Sequence, residues 1–501
     1  MILKIDGDIK PYYAQTLCMM FFPGVKFPEG EAETPETPVA SFTVRETPCG
    51  AHADVALKIG AERADGAGDC CVEVGIDPAR ARQIAAGTAF YRAASALTGV
   101  RPPWGIMTGV RPAKLASERF RAGDSLEEAA HWIENKYLAA PHKASLAAAV
   151  ADAERRLIRP ELARRCSVYV AIPFCPSRCA YCSFVSYTSG KLLSLIPSYL
   201  EALRTNIRSV FAVIRSLGIP VSTVYIGGGT PTVLDPAQLR FLLETIAAET
   251  DVAALAEFTL EAGRPDTITA EKLAVAREYG VTRISVNTQT LNEEILAAIG
   301  RRHTAAQFFE AFETARKSGI PQVNVDLIAG LPGESADSFA SSLDRILPLG
   351  AENVTVHTFC VKKSADIRWE EKSVYDRVGL EAAAAVDYAQ RTLLGGGYIP
   401  YYMYRQKNTV GNLENVGYAR AGREGLYNIY MMEEVHSIFA AGASAVTKFV
   451  SPMKEDGDQR IDRIFEAKYP YEYLKDYAPE NLDARTRAFA DFAAAFYKTY
   501  C

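Results

Sequence analysis

Cys175, Cys179 and Cys182 stand in the run Phe-Cys-Pro-Ser-Arg-Cys-Ala-Tyr-Cys-Ser-Phe over residues 174–184. Three thiols at this spacing are metal ligands by type. Zinc sites usually pair C-x2-4-C units and close a tetrahedron with a fourth protein ligand, and no histidine lies near this triplet. Three thiolates suit a [4Fe–4S] cube better: they hold three irons and leave the fourth open to a small molecule with an amine and a carboxylate. The competing readings are unligated loop thiols and a zinc site completed from a distance. The other seven of the ten cysteines (Cys18, Cys49, Cys70, Cys71, Cys166, Cys360 and Cys501) are scattered. Such usage fits reduced, intracellular thiols rather than a disulfide framework. The vicinal Cys70 and Cys71 read as a buried strand pair before they read as a redox pair.

The elements that must position the triplet are a series of strands, each followed by a helix-length segment. Candidate strands are 168–172, 223–226, 257–261, 283–287, 322–328 and 353–358, short and rich in β-branched or aromatic residues. Asp235, Pro236 and Gln238 read as a helix start, and Gly280 as a helix stop. Six such units imply a parallel sheet with right-handed crossovers, either a curved partial barrel or a flat doubly wound sheet. The triplet follows the first strand at its C-terminal end, where ligands gather in such sheets.

The 501 residues suggest about three domains. We divide them into an α/β accessory domain (1–165), the strand–helix core (166–364) and a mainly helical C-terminal domain (365–501). In the first, 39–44, 54–59 and 71–76 read as strands, and 78–97, 125–138 and 143–158 as helices. The loop 101–112, with Trp104 and two arginines, reads equally as a packed connector or as part of a site. The composition is that of a folded protein, with 49% hydrophobic and 23% charged residues. A net charge of −5 offers no basic field for nucleic acid. No apolar run reaches the roughly 18 residues of a membrane span, and the N-terminus lacks a signal-peptide core. The expectation is a cytoplasmic enzyme with no integral membrane segment.

The C-x3-C-x2-C pattern with Tyr181 before its last cysteine, followed by Gly227-Gly-Gly-Thr-Pro-Thr232, resembles the radical S-adenosylmethionine superfamily. That resemblance implies a partial (β/α)6 TIM-like barrel. It also implies a [4Fe–4S] cluster on Cys175, Cys179 and Cys182, and S-adenosylmethionine as the second cofactor. No catalytic side chain beyond the cluster is implied. Further motifs are similar to the oxygen-independent coproporphyrinogen oxidase branch. These are Thr259-Leu-Glu261, 284–289 ending in Gln289, Gly300-Arg-Arg-His-Thr304, and 325–332 with Asp326 and Ile328. By that resemblance the cofactor contacts are Tyr169, Phe184, Gly227, Gly228, Gly229, Thr230, Glu261, Gln289, Arg301, Asp326 and Ile328. The 104–112 loop and 404–418 resemble HemZ-type coproporphyrinogen dehydrogenases.

The activity so implied is oxidative decarboxylation of two propionates of coproporphyrinogen III to vinyl groups, giving protoporphyrinogen IX through a 5′-deoxyadenosyl radical. It needs an external flavodoxin- or ferredoxin-like electron donor and a basic pocket for a tetrapyrrole carrying four carboxylates. Candidates for that pocket are Arg111 and Arg405, then Lys114 and Lys407. Two departures bear on this. Phe184 stands where the classical enzymes carry a fourth cysteine, as in haem-chaperone relatives, which weakens the transfer of decarboxylase activity; Ala171 stands where they carry a histidine, which weakens the transfer of haem binding because an axial-type ligand is gone. The rivals are a haem chaperone or trafficking protein and a radical enzyme acting on haem, with His303, His357 and His436 as candidate iron ligands.

Overall fold

The structure, a computed structural model, describes the 501-residue chain except for residues 29, 31, 32, 35, 361–371, 407, 408 and 455–457. Lys407 and the expected division at 364/365 lie outside the described residues.

The six β-branched runs of the middle third form consecutive parallel strands: β5 (Cys166–Ile172), β6 (Val221–Gly228), β7 (Glu257–Leu260), β8 (Arg283–Ser285), β9 (Gln322–Ala329) and β10 (Asn353–Thr358). Helical segments separate them, as the partial (β/α)6 reading requires. The helix Pro236–Ala247 begins on a reciprocal capping box between Asp235 and Gln238. The helix Ala270–Glu278 stops before Gly280, whose φ is +78°.

The segment after β10 holds more helix than strand, yet its strands matter most to the architecture. These are β11 (Ile399–Arg405), β12 (Glu414–Ala419), β13 (Ser437–Ala441), β14 (Val446–Val450) and β15 (Ile461–Phe465). They extend both edges of the six, giving the order β11-β12-β10-β9-β8-β7-β6-β5-β13-β14-β15. β13 runs parallel to β5, whereas β12 is antiparallel to β10 and β14 to β13. Laid flat at about 4.8 Å per strand, these strands would span roughly 48 Å. Residues of β5, β11, β12, β14 and β15 nevertheless line one cavity, so the sheet curls and the flat alternative is excluded. Its end strands do not pair with each other. The barrel is partial.

The N-terminal sheet is separate and ordered β1 (Ile2–Asp6), β2 (Val39–Thr47), β3 (Gly50–Ile59), β4 (Glu62–Cys71). The expected strand over 71–76 is not formed. The strand instead covers 62–71, and Glu73 and Ile76 make only an isolated bridge. Alternation failed as a guide because the helix Pro78–Thr98 lies almost on β4: a Cβ at Gly66 would stand 2.2 Å from the Ala89 carbonyl oxygen. A strand that must be stripped to glycine there does not look like one.

The loop 101–112 is a packed connector. Trp104 is fully buried and donates to Glu414 Oε2 at 2.7 Å, while buried Lys143 reaches Glu414 Oε1 at 2.6 Å. One carboxylate on β12 thereby ties two N-terminal elements to the edge of the large sheet. Among the described residues no helix is long and apolar enough to cross a membrane.

Candidate functional site

A cavity of about 920 Å³ opens at the C-terminal ends of the parallel strands. Cys175, Cys179 and Cys182 share its wall with Tyr169 and Phe184. The loop that carries them is fixed by backbone geometry. Cys175 N donates to Tyr187 O at 3.1 Å, Ala180 N to Ile299 O at 3.0 Å, and Cys182 N to Cys179 O at 3.0 Å. Burial pushes the Cys175 thiol up to about 11. Holding it as a thiolate therefore needs a compensating positive centre. Arg264 supplies a fixed one nearby. It reaches Cys179 Sγ at 3.8 Å and Ser177 O at 3.2 Å, and pairs with Asp266 at 3.1 Å.

The glycine motif lies directly behind this loop. Gly229 N donates to Ile172 O and Thr230 N to Phe174 O, both at 2.8 Å, and Thr230 Oγ1 lies 3.3 Å from Cys175 Sγ. A Cβ at Gly229 would stand 2.5 Å from Phe174 O and 2.9 Å from Cys175 Sγ. These glycine-motif amides are thus spent on the cysteine loop, a tighter reason for glycine than free approach of a ligand. Gly228, Gly229 and Thr230 reach the cavity; Gly227 sits against Tyr225 and Glu261.

Glu261, Gln289, Arg301, Asp326 and Ile328 also line the cavity. Burial, then the nearby Asp326, raises Glu261 to about 8, with Tyr225 and the Gly228 amide opposing the shift. Gln289 takes a left-handed φ of +72° between β8 and β9, donating its N–H to Asp326 O and accepting from Ile328 N. Among the described residues its buried Oε1 finds no hydrogen-bond partner, and neither do Asn287 Oδ1 and Ser285 Oγ, which line the same cavity. Buried polar atoms are normally satisfied. This wall is built for a polar guest. Arg301 is already engaged, donating to Asn287 O at 2.6 Å, to Gly263 O at 3.3 Å and to the Tyr181 hydroxyl. Tyr169, Tyr225 and Tyr427 form a triangular cluster of near-parallel rings at centroid separations of 4.7–6.3 Å.

The two residues expected to bind substrate carboxylates lie elsewhere. Arg111 donates to Met432 O and Glu434 Oε2, both at 2.8 Å. Lys114 lies 3.8 Å from that same carboxylate. Arg405 is buried over the Trp104 ring and bonds the carbonyls of Met107, Gly109 and Asn412. Both arginines are inter-element ties, and neither lines the cavity. Among the described residues, the lysines and arginines that do, besides Arg264 and Arg301, are Lys448 on β14 and Arg463 on β15, opposite each other in register. The helical reading of this segment hid them, although 446–450 (Val-Thr-Lys-Phe-Val) is rich in β-branched and aromatic residues. Arg264 carried a weak signal, a charge in a Gly-Arg-Pro turn three residues beyond Glu261.

Of the three histidines, only His357 lines the cavity, 3.8 Å from Asp326. His303 lines an adjoining polar cleft, and burial, followed by Arg301, lowers it to about 4. His436 is locked between Ser167 Oγ at 2.8 Å and Leu162 O at 3.0 Å, outside the cavity.

The donor set fits an iron–sulfur cube. Three soft thiols face one cavity, and among the described residues no three His, Cys, Asp or Glu side chains converge on a single-ion position. A zinc ion, with bonds of about 2.3 Å, would demand such convergence. The orphaned amide and hydroxyl oxygens suit an amino-acid nucleoside beside it.

Comparison with known proteins agrees. Residues 169–346 match the radical SAM superfamily. The oxygen-independent coproporphyrinogen-III oxidase-like protein HemZ of Bacillus subtilis (strain 168) is 39% identical over 70% of this chain and 71% of its own. The heme chaperone HemW of the same organism is 32% identical over 61% of this chain and 77% of its own. Among solved structures, coproporphyrinogen III oxidase (HemN) from Escherichia coli aligns with a TM-score of 0.46 at 22% identity, covering 65% of this chain and 71% of that one. The cofactors of this family are a [4Fe–4S] cluster and S-adenosylmethionine. The chain belongs to the radical S-adenosylmethionine superfamily, in the branch that contains HemZ.

Proposed function

We propose that the protein is an oxygen-independent coproporphyrinogen III oxidase, converting two propionates of its substrate to vinyl groups with an external one-electron donor. The observation that carries this reading is the pairing of the two cavity walls. Three thiols, a group of orphaned polar atoms and two cations on the C-terminal hairpin, Lys448 and Arg463, line one space of about 920 Å³. A macrocycle with carboxylates at its rim asks for cations at a distance from the reacting centre. The relatedness to a coproporphyrinogen-III oxidase-like protein supports it.

In this reading Cys175, Cys179 and Cys182 hold the cluster. Tyr169, Phe184, Gly228, Gly229, Thr230, Glu261, Gln289, Arg301, Asp326 and Ile328 surround S-adenosylmethionine, and Gly227 shapes the wall behind them. Bound together, the two cofactors supply a carbon-centred radical able to abstract hydrogen from an unactivated position. The chain's own residues do the rest. Arg264 keeps positive charge beside the thiolates. Gln289 and Asn287 offer acceptors to the amine and hydroxyl groups of a nucleoside amino acid. Lys448, whose side chain is 14% exposed, holds a propionate and so orients the macrocycle's other edge toward the cluster wall. The curled sheet and the tyrosine cluster of Tyr169, Tyr225 and Tyr427 keep water from the reacting carbon.

A second reading, a haem chaperone, is favoured by the similarity to HemW and by Phe184, which is 65% exposed at the cavity in the place where the classical oxidases carry a fourth cysteine. One experiment separates them. The cluster is reconstituted anaerobically, and S-adenosylmethionine, a reductant and coproporphyrinogen III are added. Two successive mass losses, each of CO2 plus two hydrogens, are expected. Stoichiometric haem binding with no such product would overturn the oxidase reading in favour of the chaperone.

A further inference from the structure

Away from the cavity, the N-terminal sheet brings together two cysteines that are 22 positions apart in the chain. Cys49 sits in the turn between β2 and β3, and Cys71 ends β4. Their sulfurs lie 2.8 Å apart, and both side chains are exposed. The approach is built by the backbone. Gly50 pairs with Cys71 across the ladder, Val72 N donates to Cys49 O at 2.7 Å, and Thr47 Oγ1 accepts from Gly50 N at 3.1 Å to hold the turn. A side chain at position 50 could not be accommodated, since its Cβ would stand 2.1 Å from Cys70 O. Glycine there lets the turn close over the end of β4. The neighbouring Cys70 is buried in the core instead, as strand alternation requires. Cys18 and Cys166 are likewise buried and have no thiol partner among the described residues.

We propose that Cys49 and Cys71 form a reversible dithiol–disulfide couple, a redox site separate from the three cysteines of the cavity. The two thiols are distinguishable. Cys71 donates its S–H to Cys49, which lowers Cys49 below the ordinary thiol value, helped by a contact of 3.7 Å with Thr47 Oγ1, and raises Cys71. Cys49 is therefore the attacking thiol and Cys71 the resolving one. The Cys49 thiolate attacks one sulfur of a low-molecular-weight disulfide, forming a mixed disulfide and releasing one thiol. The Cys71 thiolate then attacks Cys49 Sγ and releases the second. The protein loses two electrons and two protons; the external disulfide gains both and leaves as two thiols. A chain whose cluster demands reducing conditions thereby carries, on another domain, a surface pair that responds to the thiol–disulfide poise.

The test uses the full-length protein with its cluster assembled, held anaerobically in buffers of defined oxidised-to-reduced glutathione ratio. It is quenched by alkylation and digested without reductant. The expected product is a cross-linked peptide pair joining Cys49 to Cys71, lighter by two hydrogens and reversed by dithiothreitol. Cys70→Ser should retain it. Cys49→Ser and Cys71→Ser should each abolish it and leave a single glutathione adduct on the surviving partner, with the cluster's visible absorption unchanged in all three. Separate glutathione adducts on Cys49 and Cys71 with no cross-link, or pairing through Cys70, would overturn the proposal. Because the readout is a peptide mass, its failure is distinct from any failure of the oxidase reading.

Discussion

The two walls of the cavity are built by opposite means. On the cluster side, Cys175, Glu261, Gln289 and Asp326 sit in or within a few positions of a strand end, and the loops hold one another through main-chain bonds such as Gly229 N to Ile172 O and Thr230 N to Phe174 O. On the far side, Lys448 and Arg463 come from a hairpin that reaches the cavity only because β13 returns to pair with β5. The first wall is specified locally, residue by residue. The second exists only once the C-terminal segment has wrapped round the sheet. A scaffold divided in this way can keep its radical chemistry constant while the facing hairpin changes the substrate.

The largest effect that could break this division is at the first wall. Cys179→Ala should abolish cluster assembly and with it all cleavage of S-adenosylmethionine, read as iron content and 5′-deoxyadenosine formed. Surviving turnover without iron would end the comparison, because no local wall would then be doing the chemistry.

The next largest concerns how dry that wall is. Glu261 is raised to about 8 in the folded chain, against about 4.3 for an unfolded glutamate. Between those values the folded protein keeps a proton that the unfolded chain has released. The stability contributed by neutral Glu261 is therefore complete below about pH 4.3, declines as pH rises toward 8, and is flat beyond, where both states are ionised. The steepest slope is about 1.4 kcal/mol per pH unit. Urea unfolding of the protein without added cofactors, across pH 5–8, should show this slope in the wild type and a shallower one in Glu261→Gln. Equal slopes would mean that water reaches the carboxyl.

A third substitution separates holding the walls together from lining them. Arg405→Ala removes hydrogen bonds to three backbone carbonyls, that of Met107 buried, and a stacking contact with Trp104. It should cost about 2–4 kcal/mol of stability and leave the KM for coproporphyrinogen III unchanged. A raised KM with unaltered unfolding would restore Arg405 to the substrate site, against its placement here.

What the sequence made legible follows the same division. Cys175 could be placed from the spacing of its motif at a strand end, and Glu261, Gln289 and Asp326 only through their resemblance to a family's strand-end motifs, since a polar residue at a strand end otherwise reads as a hydrogen bonder. Arg111 and Arg405 were misassigned because a basic residue in a glycine- or tyrosine-rich run looks alike whether it meets a ligand or a carbonyl. Only the tertiary partners, Glu434 and Met432 for one, Met107 and Asn412 for the other, decide between the two. Strand β4 was missed for a related reason: Gly66 answers to a helix that arrives later in the chain. Local rules fail where a distant element sets the requirement.

The smallest expected effect is also the most discriminating between the walls, because it should touch binding alone. Lys448 is largely enclosed, with its ammonium donating to Met431 O at 2.9 Å and lying 4.0 Å from Glu434. Burial lowers its pKa, so a carboxylate arriving beside it restores charge balance in a poorly hydrated place. Arg463 opposite is exposed and screened by water. Lys448→Ala should therefore raise the KM for coproporphyrinogen III about tenfold, or about 1.4 kcal/mol, and Arg463→Ala by no more than about threefold. In both variants the uncoupled cleavage of S-adenosylmethionine, measured without porphyrinogen, should match the wild type, since neither side chain takes part in the cluster wall. If Lys448→Ala instead slowed that uncoupled cleavage, the hairpin would belong to the radical-forming machinery, and the split between a locally encoded cofactor wall and an assembled substrate wall would not hold.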